Sequence, residues 1–165
     1  FLCHSELILI LRRIKSLYYE KDLVAIMTFA KPDKNKNYQW ELKRFAVKPN
    51  YSIIGGASKL LKHFEKTINP SSLISYAKRD WSQGKIYEKL GFVFKHNTEP
   101  SIFWVDSKKL TIHSRQKFQK HKLKDIPNFD FNGELTADEN LFKNGYRKYF
   151  DSGNKVYYKI YKKGI

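Results

Sequence analysis

Hydrophobic and polar positions alternate unevenly along this chain, and the rhythm changes from element to element. In IKSLYYEKDLVAIMTF, residues 14–29, β-branched and aromatic side chains form two runs around Glu20-Lys21-Asp22, which predicts a hairpin. KPDKNKN at 31–37 is a polar loop, and 38–47 reads as a strand whose alternation slips after Arg44. From Ser58 to Lys66 the period becomes helical, with Leu60, Leu61 and Phe64 on one face and Lys59, Lys62 and Glu65 on the other. Asn69-Pro70 stops that helix. SLISYA at 72–77 is a nearly continuous apolar run, the signature of a strand buried on both faces.

A second helix is expected over Ser82–Leu90, stopped by Gly91. FVFKH and SIFWVD then suggest a strand pair turning at Asn97-Thr98-Glu99-Pro100. Beyond Ser107 lies HSRQKFQKHKLK, with Phe118 and Leu123 set among cations. Thr136-Ala137-Asp138-Glu139 has the form of a capping box, and the helix it opens should end near Gly145. YRKYFDSGNKVYYKIY predicts a terminal hairpin turning at Asp151–Asn154. This order implies an α/β fold, a mixed sheet flanked by helices, with residues 1–106 as the core and 107–165 as a basic extension packed on it.

Composition narrows the picture. A length of 165 residues, 41% of them hydrophobic, suits one domain with a real core. The longest apolar run, LILIL at 7–11, is too short to span a bilayer. Cys3 is the single cysteine, so no internal disulfide is expected and a reducing, cytoplasmic compartment fits. The five histidines have no zinc spacing, and no metal site is expected. The chain opens at Phe1 directly into apolar sequence, which leads us to expect an upstream segment. A net charge of +16 favours a polyanionic partner, DNA or RNA, over a merely solvated lysine-rich surface.

The most specific chemistry lies where a strand meets a helix, at Ser52-Ile53-Ile54-Gly55-Gly56-Ala57-Ser58. A glycine turn opening a helix exposes unpaired N–H groups where the helix dipole favours an anion. Its plainer alternative is a tight strand–helix connection. Downstream, Tyr87-Glu88-Lys89-Leu90-Gly91-Phe92 ends the second helix. Together these resemble the two signatures of the GNAT (Gcn5-related N-acetyltransferase) superfamily. Its motif Gln/Arg-x-x-Gly-x-Gly/Ala finds Ser52, Gly55 and Ala57 in its slots, and its Tyr-x-x-x-Gly-Phe ending finds Tyr87, Gly91 and Phe92. Asp80 stands where the family commonly has Asn, and Gln83 where it has a small residue. The patterns WELKRFAVKPNYSIIGGASKLLKHF, RDWSQGKIYEKLGF, RQKFQKHKL and GYRKYFDSGN are similar to GNAT-like domains of phage proteins, some of which carry a homing-endonuclease-like segment.

The resemblance implies an acyl-CoA, acetyl-CoA first, lying between strands 40–47 and 72–77. It implies a pyrophosphate on the amides from Ile54 to Ser58, a pantetheine arm along Phe45, Ala46 and Val47, and Val47 N–H as the group that polarises the thioester carbonyl. Tyr87 would protonate the leaving thiolate; Glu41, with Asp80 as runner-up, would deprotonate the amine. It also implies a host-cell cytoplasmic setting and a nuclease-like upstream partner. Each residue has a plainer alternative: Tyr87 as a core cap, Glu41 as an ion-pair partner of Lys43 or Arg44. In the basic segment Arg115, Lys117, Lys120, His121, Lys122 and Lys124 are candidates for a phosphate-facing ridge, and tyrosines 157, 158 and 161 among lysines suit base stacking. Three functions follow: an acyltransferase acting on an amine, a non-catalytic nucleic-acid-binding module, or a base-modifying enzyme.

Overall fold

A computed structural model describes residues 13–161. In chain order its elements are strands β1 (Arg13–Tyr19), β2 (Asp22–Ala30) and β3 (Trp40–Val47), helix α1 (Gly56–Ile68), strand β4 (Ser72–Lys78), helix α2 (Lys85–Lys89), strands β5 (Val93–Asn97), β6 (Ile102–Asp106) and β7 (Ile112–Ser114), a 3-10 turn (Arg115–Phe118), helices α3 (Lys120–Leu123) and α4 (Ala137–Lys143), and strands β8 (Tyr146–Phe150) and β9 (Asn154–Ile160). Contacts divide it into two units: residues up to Thr98 together with those from Asn154, and Glu99–Gly153.

The first unit holds a six-stranded sheet in the order β1-β2-β3-β4-β9-β5. β3 and β4 are parallel and every other neighbouring pair is antiparallel, so the sheet is mixed, as the element order implied. The slip foreseen near Arg44 is a bulge: Thr28 pairs with Arg44 but Phe29 pairs with Leu42, leaving Lys43 as the extra residue. The bulge restores Phe45 to the face shared by Trp40 and Leu42, against the main core. That face receives α1, whose Leu60, Leu61 and Phe64 are all buried. Phe64 stacks on Phe29 with ring centroids 3.6 Å apart and meets the edge of Trp40 at 5.7 Å. Burying each such side chain stabilises by about 1.5–3 kcal/mol, and Phe64→Ala would cost about 3–5 kcal/mol with its cavity. β4 is buried along nearly its whole length, which accounts for the continuous apolar run SLISYA.

Three local expectations differ from the structure. FVFKH and SIFWVD do not pair with each other: β5 pairs with β9, and β6 with β7 and β8. YRKYF and NKVYYKI do not form a hairpin, because β8 joins β6 while β9 inserts between β4 and β5. The boundary expected at 106/107 therefore falls elsewhere, and the last strand is an internal part of the first sheet. The second helix starts at Lys85, not Ser82, because Gly84 at its N-cap has φ +81° and breaks the helical path. The LILIL run and Cys3 lie outside the described residues.

The second unit carries the three-stranded sheet β7-β6-β8. Trp104, Phe118, Leu123 and Leu141 form its buried core. The capping box is present: Glu139 N–H donates to the Thr136 hydroxyl, and Thr136 N–H donates to the Glu139 carboxylate at 2.7 Å. Asn140 is fully buried; its amide donates to Asn132 O and Thr136 O and accepts from Asn132 N–H, tying the loop before α4 to that helix. Among the described residues no helix is long and apolar enough to cross a membrane.

Candidate functional site

β3 and β4 pair only at Trp40↔Leu73, Glu41↔Ile74 and Leu42↔Ser75. Beyond that rung β3 stays with β2 as far as Ala25↔Val47, while β4 stays with β9 as far as Lys78↔Asn154. The two strands fork. At the fork the buried Ser75 hydroxyl donates to Leu42 O at 2.8 Å, closing the last rung from the side chain. Lys48 N–H donates to Val24 O at 2.8 Å, so its donor points at β2. Backbone alternation then turns Ala46 toward β2 and the N–H groups of Phe45 and Val47 toward the edge that β4 has left.

Tyr87, on α2, reaches the same fork. Its hydroxyl lies 3.4 Å from Tyr76 O, and its ring stacks on Tyr157 at 5.0 Å with Phe92 edge-on at 5.8 Å. Burial pushes the Tyr87 pKa up, and a hydrogen bond with Ser75 offsets part of that shift. Gly84 sets this geometry: a Cβ there would lie 2.3 Å from the Tyr157 hydroxyl oxygen. Ser75 was not singled out from the sequence, and Tyr157 was expected there only as a base-stacking group. The signal for Ser75 was a hydroxyl within an otherwise apolar buried run; Tyr157 had none, since its place depends on a long-range strand pairing.

The glycine turn opens α1. Gly55 takes the N-cap with φ +73°, a conformation that costs other residues energy. A Cβ on Gly56 would lie 2.7 Å from Ile53 Cγ2, so the turn tolerates no side chain there. Gly56 N–H donates to Ile53 O at 3.2 Å. No side chain caps the helix, and its first turn has no acidic residue, which leaves the amides of Ala57 and Ser58 as donors beside a positive dipole end. Gly55, Gly56, Ala57 and Ser58 line a cavity of about 370 Å³ together with Phe45, Val47 and two lysines of α2, Lys85 and Lys89. Those lysines are absent from the sequence-derived site; their i, i+4 spacing after Gly84 was the available sign. Ser52 and Ile54 instead border a different hollow with Tyr18, Tyr19 and Tyr51, and Ile54 is 95% exposed.

Glu41 is 8% exposed and forms an ion pair with Lys43 at 2.9 Å. Lys43 also holds Asp33 at 2.6 Å; burial works against its ammonium, but these hydrogen bonds outweigh it and raise its pKa. Asp80 sits in the loop before α2, with Lys78 Nζ at 3.8 Å. Neither carboxylate belongs to the cavity lined by the glycine turn.

In the second unit Phe118 and Leu123 are buried while Arg115, Lys117, Lys120, His121, Lys122 and Lys124 are exposed around them. No Asp or Glu occurs between Ser107 and Lys124, and no ion pair of the described residues uses a cation of this segment. Two of the three tyrosines expected as stacking groups are otherwise engaged. Tyr157 is buried, and Tyr161 donates to Glu65, which also holds Lys159 at 2.8 Å. Lys162 and Lys163 lie outside the described residues.

No protein-family model matches the chain, and no curated protein does. Among solved structures, a Bacillus subtilis acetyltransferase in complex with CoA aligns with a TM-score of 0.47 at 13% identity, covering 88% of this chain and 74% of that one.

Proposed function

We propose that the unit containing the six-stranded sheet is a GNAT-type acyltransferase core, moving an acyl group from an acyl-CoA to an amine. The fork between β3 and β4, with the Tyr87 hydroxyl at its apex, carries the reading. The residues present fit such a donor: two uncapped amides and two lysines suit phosphates, and the free edge of β3 suits an amide-rich arm. Acyl-CoA supplies an acyl carbon activated as a thioester.

The chain supplies the rest. Ala57 and Ser58 N–H groups, with Lys85 and Lys89, bind the phosphates. The Val47 N–H polarises the acyl carbonyl as an oxyanion-type donor. Tyr87 gives its Oη proton to the departing sulfur. Glu41 takes the proton from the attacking amine, with Asp80 as the second candidate. Calorimetric titration with acetyl-CoA tests the reading. Saturable binding is expected, and no heat at millimolar ligand would remove it.

A second reading concerns the other unit. Its exposed ridge from Arg115 to Lys124, which enters no ion pair among the described residues and is anchored by Phe118 and Leu123, supports binding to nucleic-acid phosphates. Binding there should weaken steeply with salt; affinity indifferent to salt would count against it.

A further inference from the structure

Ile53 lines both the cavity at the glycine turn and a second hollow, of about 650 Å³, that neither reading uses. The β1–β2 hairpin forms one wall of it. A bulge between Leu17 and Tyr18 shifts the strand register there, and the consecutive Tyr18 and Tyr19 both line the hollow. Their rings are open. The two residues are 63% and 62% exposed, and neither side chain makes a hydrogen bond, ring contact or cation–π contact among the described residues. Tyr51 is engaged: Lys48 Nζ lies 5.3 Å from its ring centroid, and its hydroxyl donates to Asp22 at 3.1 Å. Lys59 lines the hollow from α1, and Lys62 follows it at i+3 on the same helix face. Both lysines are exposed and enter no ion pair among the described residues. Of the hairpin's carboxylates, Asp22 is held by Lys48 at 2.7 Å and Glu20 is outside the lining. The exposed Ser52 hydroxyl, also in the lining, has no hydrogen bond among the described residues and keeps a donor and an acceptor to offer.

We propose that this hollow seats one unpaired base of a nucleic-acid single strand. Such a base presents a π face, a polar edge and flanking phosphates. Tyr18 and Tyr19 stack on the face, the Ser52 hydroxyl meets the edge, and Lys59 with Lys62 meets the phosphates. A base enters a concave site only when it is unstacked, so the strand is single. The nucleotide end of an acyl-CoA has the same chemistry. In the acyltransferase reading, however, its phosphates are answered by Lys85 and Lys89 in the neighbouring cavity, and one donor molecule neutralises only a fraction of a net charge of +16. The assignment rests on neither earlier reading, since it uses no residue of the fork or of the ridge.

Fluorescence anisotropy with a labelled single-stranded oligodeoxyadenylate and with its duplex, at two salt concentrations, tests the assignment. NMR of the methyl groups of Ile54, which lines the hollow and is 95% exposed, reports on the hollow itself. The single strand should bind more tightly than the duplex and shift the Ile54 signals. Tyr18→Leu and Tyr19→Leu leave every charge in place. Each should weaken single-strand binding by about tenfold, the loss of one stacking face, with an unchanged salt slope. Lys59→Gln should weaken binding and lower that slope by about 0.7. Lys34→Ala, on an exposed loop, should change neither. Strand binding that both leucine variants leave intact, with Ile54 unmoved, would overturn the hollow and leave the ridge standing. Ile54 shifts produced by acetyl-CoA and not by the strand would also overturn it, assigning the hollow to the donor's nucleotide end. A preference for the duplex, or no binding to either oligonucleotide, would overturn it as well.

Discussion

Ser75 ties β4 to β3 through its side chain: the hydroxyl donates to Leu42 O at 2.8 Å at the last rung before the strands separate. Tyr87 reaches the same place from α2, its hydroxyl 3.4 Å from Tyr76 O on β4. Ser75→Ala would leave Leu42 O short of a partner in a buried setting, at about 1–3 kcal/mol. The urea midpoint should fall with an unchanged m-value. A variant as stable as the parent would show that this bond contributes nothing.

Tyr87→Phe keeps the stack on Tyr157 and removes only the proton. Turnover with acetyl-CoA should drop about a hundredfold or more, with affinity for the donor nearly unchanged. Equal turnover in the variant would return Tyr87 to a packing role.

The shape of the site was partly written in local sequence. Gly55-Gly56 before an amphipathic helix, the slip after Arg44 and the Tyr87–Phe92 ending all depend on neighbours within a few residues. Each was legible. The position of β9 was not, because Asp151-Ser152-Gly153-Asn154 looks like a hairpin turn. In the structure Asp151 Oδ1 accepts from both Ser101 N–H and Gly153 N–H, at 2.7 and 2.9 Å, so the turn feeds two different sheets. Tyr157, which stacks on Tyr87, could not be placed without that pairing. Lys85 and Lys89 looked like ordinary surface charge until the glycine turn stood across the cavity from them.

Gly84→Ala tests the packing behind Tyr87. The added methyl meets the Tyr157 ring and must adopt φ +81°, so both strain and collision disfavour it. Stability should fall by roughly 1–3 kcal/mol. Turnover should fall further than stability alone explains, because Tyr157 would shift against Tyr87. Unchanged thermal unfolding would contradict the close approach.

Removing Lys85 and Lys89 together should weaken acetyl-CoA binding about tenfold or more while leaving the fold intact, since both side chains are exposed and charge-assisted contacts are worth about 1.5–3 kcal/mol each. Calorimetry on the double alanine variant reads this directly; equal affinity would separate the lysines from the phosphates.

Alkaline pH should destabilise the first unit. Burial raises the pKa of both Tyr87 and Tyr161, and the hydrogen bond to Glu65 raises Tyr161 further. A folded pKa above the unfolded one means that the native state binds the proton more tightly. This stabilisation is fully present below the ordinary tyrosine pKa of about 10 and is lost as pH rises above it. Denaturation followed from pH 7 to 11 should show a fall beginning near that value, smaller in Tyr161→Phe. A flat profile would argue that neither phenol is buried.

The central claim is that the fork and the glycine turn together hold an acyl-CoA. Titrating acetyl-CoA into the 15N-labelled protein and following backbone amides tests it at the atoms concerned. The account predicts saturable shifts at Val47, Ala57 and Ser58, with Ala46 less affected because its amide is turned to β2. Spectra unchanged at millimolar acetyl-CoA, or shifts confined to residues away from β3 and the start of α1, would contradict it.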